Sequence, residues 1–279
     1  MKLKVLVSAV ALAIAGNASA AINLGDATHY GDLFLTVWDS TSGKSYVRDL
    51  GVTGDAFIST LTGPSGAGPT GSKTFAGDSN YTGAFLGTTI ASDVSGNANP
   101  GAATLTTTKW TITSAQATGF AAGSKVISTA GPSFNWPTSN GATRDLASNT
   151  FAFASNQNAP APGCDTSASC FSFSSADGFN GNDPSWQGTF GVLPSGIGAA
   201  TTDSTALWQL VSSSSAVGGT ANIGKLGNAG GSGSFSFDSA TGSVTWTLAP
   251  LAAVPEPSTY ALMGAGLAML GAIARRRVK

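Results

Sequence analysis

Charge is the first thing this sequence lacks. Asp, Glu, Lys and Arg make up 10% of its 279 residues, far below the roughly 25% of ordinary soluble domains, so its surface must be built from hydroxyls and amides. There is one histidine, His29, one glutamate, Glu256, and two cysteines, Cys164 and Cys170. A lone histidine near the start, with no Gly-x-Ser-x-Gly turn elsewhere, leaves Ser-His-Asp catalysis without its parts, and His29 reads as a solvated or strand-edge residue. The same scarcity leaves too few ligands for a zinc centre. Between Ala21 and Pro250 seven basic residues (Lys44, Arg48, Lys73, Lys109, Lys125, Arg144, Lys225) face thirteen Asp, so that stretch carries six net negative charges. An acidic body without a basic cluster is no partner for nucleic acid phosphates.

What basic charge remains sits at the ends. Lys2 and Lys4 precede an apolar run, Val5 to Ala15, and Ala18-Ser19-Ala20 supplies small residues for cleavage. This is the pattern of a signal peptide over residues 1–20, cut after Ala20 and read by the secretion machinery. Export places Cys164 and Cys170, six positions apart, in an oxidising compartment, where a local disulfide is the expected state. Residues 21–250 form the exported body, of a size for one domain.

Long amphipathic stretches are also missing. The body reads as short strands punctuated by Gly, Pro, Asn and Ser. Asp32 to Trp38 carries large apolar groups on both faces, as a central strand does, and Asp39 to Lys44 has the chemistry of a turn leading into Ser45 to Leu50. Ala56 to Leu61 fits a strand or a short helix. Thr62 to Gly83 reads as an exposed excursion. Thr104 to Thr113 is rich in β-branched residues, and Lys125 to Ser128, Phe151 to Ala154, Cys170 to Ser174, Gly188 to Leu193 and Thr205 to Ser212 add further strands. Ser234 to Asp238 and Ser243 to Leu248 alternate apolar and polar residues around a turn ending in Gly242, the signature of a hairpin. About ten such strands predict an all-β sandwich of jelly-roll type; a β-helix is the rival, and no repeat period supports it.

The last segment, residues 251–279, is different. Val254, Pro255, Glu256 and Pro257 precede 17 uncharged residues from Ser258 to Ala274, stopped by Arg275, Arg276 and Arg277. As a helix the run would measure roughly 25 Å, just short of a hydrocarbon core, and it predicts a single C-terminal transmembrane helix with the arginines kept cytoplasmic. The two prolines keep the backbone extended and hold Glu256 out before the helix begins. This order of parts, with a signal peptide at the other end, resembles the PEP-CTERM family of exosortase substrates. The resemblance covers about 25 residues and implies a Gram-negative exporter of extracellular polysaccharide. An exosortase in the inner membrane would recognise Pro255, Glu256 and Pro257 and process the tail, leaving the body at the cell surface or outside it.

The body itself is expected to be non-enzymatic, without cofactor, acting as a structural component of surface, matrix or biofilm. A carbohydrate-binding module for exopolysaccharide is the alternative. Trp110, Trp208 and Trp246 alternate with polar neighbours and read as core, whereas Trp136 and Trp186 lie in loops beside Pro137 and Pro184 and are the candidate glycan contacts. A secreted hydrolase ranks third, because most Asp residues sit in turn contexts and no carboxylate pair stands out. The run from Asp177 to Asp183 offers oxygen ligands for Ca²⁺ but misses EF-hand spacing, and a plain turn is preferred.

Overall fold

The computed structural model describes residues 22–62, 71–93, 96–116, 123–158, 169–173, 197–228, 231–248 and 257–277. The signal peptide, the Asp177–Asp183 run and the strand expected at 188–193 lie outside them. Strands β1 (Asp32–Asp39) and β2 (Lys44–Thr53) open the body as a hairpin and lead into helix α1 (Gly54–Thr62). Then come β3 (Gly71–Phe75), a single π-type turn at Tyr81–Leu86, β4 (Thr108–Gln116) and β5 (Lys125–Thr129). Helix α2 (Asn140–Asn158) precedes β6 (Ser169–Ser172), β7 (Ala199–Ala200), β8 (Ser204–Val211) and β9 (Asn222–Lys225). A small ladder of β10 (Gly227–Asn228) and β11 (Gly231–Ser232), the hairpin β12 (Ser234–Asp238) and β13 (Ser243–Leu248), and helix α3 (Pro257–Arg277) complete the described chain.

Among the described residues the two packed sheets of a jelly-roll are not found. Eleven strands form one antiparallel sheet in the order β3-β13-β12-β8-β5-β4-β1-β2-β6, with β7 attached to β4 and β9 to β8, and the sheet curls into a half-barrel. Strand count and alternation set which faces are apolar, but not whether those faces belong to one sheet or two. Here the curl buries the concave face against itself, around Leu33, Leu35, Val37, Trp110, Phe235 and Trp246. The rings mesh at offset or edge angles, as with Phe57 and Trp246, 5.2 Å apart at 78°, which adds to simple burial.

The convex face is covered by α2. Phe151 to Ala154, expected as a strand, is helical: Leu146, Ala147, Thr150, Phe153 and Ala154 recur at helical spacing and are all buried, a period that outweighs the local alternation of Phe and Ala. Ser139 caps the helix, its Oγ accepting from Ala142 N at 3.2 Å. Beneath α2 the sheet carries buried hydroxyls that pair across strands, Thr111 with Thr129 and Thr113 with Ser128, both at 3.2 Å. The hydroxyl-rich composition therefore reaches the interior, where these four groups pair across neighbouring strands, while the buried hydroxyls of Thr36 and Thr150 make no such bond.

The expected excursion also contributes to the core. Within it β3 adds a strand beside β13, Phe75 opposite Val244 and Gly71 opposite Leu248, and Tyr81, with Phe85 just beyond it in the same π-type turn, is fully buried. Tyr81 rests on Gly242, whose φ of 73° closes the β12–β13 turn; a Cβ there would sit 2.4 Å from the Tyr81 ring. The loop after β3 then meets β2 and β6 through side chains. Tyr46 Oη donates to Asp78 at 2.9 Å, Asn80 to Ser169 Oγ at 2.9 Å, and Arg48 bonds Ala76 O and lies 3.9 Å from Asp78. The half-barrel is thus latched by a polar seam where main-chain pairing stops.

Helix α3 packs differently. Proline at its first position suits a helix start, and Leu262, Met263, Leu267, Met269, Leu270 and Ile273 are between 53% and 79% exposed. The expected transmembrane helix is not established: among the described residues no helix is long and apolar enough to cross a membrane. Ser258, Thr259 and Tyr260 at its start and Gly264, Gly266 and Gly271 within it dilute the apolar run.

Candidate functional site

Two regions hold the residues singled out by sequence. In the first, Val254, Pro255 and Glu256 lie outside the described residues, Pro257 begins α3, and Arg275, Arg276 and Arg277 form its last turn, with Arg275 and Arg276 exposed. A cationic last turn complements the carbonyl end of the helix dipole. Cys164 is outside the described residues, while Cys170 is buried on β6, opposite Val47.

The second region is on the convex face. Trp186 is outside the described residues, but Trp136 is placed, half-buried in the loop before α2. It packs edge-on against Phe134 at 4.8 Å and lies 6.0 Å from Trp208. Trp208, expected in the core, is also half-buried. It sits where the sheet branches: the first residues of β8 pair with β12, while Trp208 to Val211 pair with β9. Its register partner Lys225 lies over the indole at 5.0 Å. On the other side Phe134 and Trp136 cover the buried Trp38, whose ring shares a close approach to Gly198 with Lys109. A strip of aromatic rings with a lysine at each end results.

A third group escaped sequence reading. Lys44, fully buried at the end of the first hairpin, donates to Ala84 O at 2.5 Å, Phe85 O at 3.1 Å and Gly87 O at 3.4 Å, and bonds Gly101 O as well. The Phe173 ring lies 5.1 Å away. Burial lowers its ammonium to about 8, against the opposing pull of Asp39. Lys44 thereby ties the π-type turn and the loop at Gly101 to β2. Its position in a turn gave no sign of this, because the carbonyls come from residues 40 to 57 positions away.

The aspartates are mostly occupied. Burial raises Asp39, but bonds from Thr107, Thr104, Ser42 and Thr41 outweigh it and hold the carboxyl below its usual range. Asp78, Asp93 and Asp238 accept main-chain bonds from Tyr81, Asn97 and Ala240, as turn-forming aspartates do. Asp26 does the same for Thr28 and His29, and its carboxyl is held low by them; His29 is exposed and bonded to Asp26, the solvated histidine expected. Asp32 and Asp49 are the exceptions: burial raises Asp32 against a bond from Asn23, and it pushes Asp49 up to about 6 against a bond from Gly51, with Asp32 adding repulsion. Among the described residues no three His, Cys, Asp or Glu come together as a metal site.

A β-rich body followed by a helix with a basic end and exposed apolar sides is the layout of a protein whose tail serves delivery. The tail is specific: residues 253–277 match the PEP-CTERM protein-sorting motif. The motif implies export, exosortase processing and membrane-associated sorting to the cell surface. Neither the curated proteins nor the solved structures gave a match.

Proposed function

We propose that the body is a non-enzymatic structural component of the surface or extracellular matrix of a Gram-negative cell, delivered by an exosortase and associated with exopolysaccharide or biofilm. The match at residues 253–277 carries this reading. The signal peptide takes the chain across the inner membrane, and α3 holds it there until the tail is processed. Cys164 and Cys170 close a disulfide in the exported body; no described cysteine is free, which supports it. The aspartates spent on turns support a body without hydrolytic chemistry, and the chain needs no cofactor, calcium included.

Surface labelling of intact cells tests delivery. Wild-type chain should be labelled, whereas Glu256→Ala should stay with the membrane fraction; equal labelling of both would remove the sorting reading. The second reading, a carbohydrate-binding module, is favoured by the half-buried Trp136 beside Trp208.

A further inference from the structure

The convex strip combines two features that a mere cover for the core does not need. Trp136 and Trp208 keep part of their rings at the surface although both pack on buried groups of α2 and the sheet. The lysines at its ends are uncompensated: among the described residues neither Lys109 nor Lys225 pairs with a carboxylate. Lys73 and Lys125 also lie over single rings, Phe75 and Tyr30, but the strip sets two unmatched cations at the ends of a run of part-exposed rings, which in a body with nearly two acids for each base marks a place for an external anion. The surrounding surface narrows the ligand. Asn135, Thr138 and Asn222 are exposed nearby. Half-covered indoles among amides and hydroxyls suit a sugar, whose apolar ring face stacks on an aromatic while its hydroxyls bond the rim.

We propose that this strip binds an anionic carbohydrate chain, with sugar faces against Trp136 and Trp208 and acid groups paired with Lys109 and Lys225. The inference rests on the surface placement proposed above, and it replaces the expected pair Trp136 and Trp186 with Trp136, Trp208 and the two lysines.

Affinity electrophoresis of the full-length protein tests it, with gels carrying alginate as a polyuronate, dextran as a neutral glucan, or polyglutamate as a polyanion without sugar. Retardation is expected in alginate alone. Lys225→Gln and Lys109→Gln should each weaken it about fivefold without shifting thermal unfolding, and Trp136→Ala should abolish it. Should Trp136→Ala fail to fold, the lysine variants decide alone. Equal retardation in dextran would overturn the anionic class, equal retardation in polyglutamate would reduce the site to a charge patch, and no retardation, or lysine variants that behave as wild type, would overturn the proposal. Tail processing is independent of this strip, so a negative result here leaves the sorting reading standing.

Discussion

Strand β13 and helix α3 are separated by eight residues and have opposite fates. Val244, Trp246 and Leu248 of β13 are buried, paired on both sides by β12 and β3, while every large apolar side chain described on α3 is more than half exposed. The body has satisfied its apolar surface before the tail begins. A segment whose described large apolar side chains stay exposed is free to be shaped by a recognition event and then removed, and the strand left behind is locked into the core rather than frayed at an edge.

The contrast is sharpest at Trp246. Its truncation to Ala should cost about 3–5 kcal/mol in denaturant unfolding of the body, because its ring contacts Phe57 and Phe235 in the concave core; a loss under 1 kcal/mol would mean the core tolerates the gap. Lys44→Met comes next, at about 1–3 kcal/mol, since the carbonyls of Ala84, Phe85 and Gly87 lose their donor. The pH dependence carries its own sign. Lys44 sits at about 8 in the fold against 10.5 unfolded, so the unfolded chain binds more protons between those values and stability rises with pH through that window. Lys44→Met should flatten the rise.

Asp49 works in the acid range and in the same molecule. Its folded value of about 6 lies above the ordinary 3.8, so the stability it contributes is present below about pH 4 and is lost as pH rises through about 6. Asp49→Asn should remove that slope, read from unfolding midpoints between pH 3.5 and about 7. Tyr46→Phe, which deletes the seam bond to Asp78, should cost about 1 kcal/mol, with faster amide exchange in β6 as the local sign. Smallest of all, removing residues 257–279 should move the midpoint of the body by less than about 0.5 kcal/mol; a larger shift would show that α3 packs on the body and would erase the comparison.

Local patterns carried much of this. The β12–β13 hairpin was readable from its alternation and Gly242, and β1 from apolar groups on both faces, because each depends on neighbours within a few residues. The single curled sheet was not, since the pairing of β3 with β13 joins residues about 170 apart and nothing in either strand names its partner. Helix α2 was hidden by four residues of Phe and Ala whose alternation mimics a strand, although the longer spacing from Leu146 to Ala154 held the answer. Trp208 was misplaced for a third reason: its exposure comes from the branching of the sheet, not from its own sequence. The tail was the clearest part, because sorting is read from a linear order of residues and asks nothing of long-range packing.

The most direct test is the intact mass of the exported protein from cells with and without the exosortase. The account predicts a mature chain that begins at Ala21 in both and lacks the helical tail only where the enzyme is present. The same mass in both, with Pro257 to Arg277 retained, would contradict it.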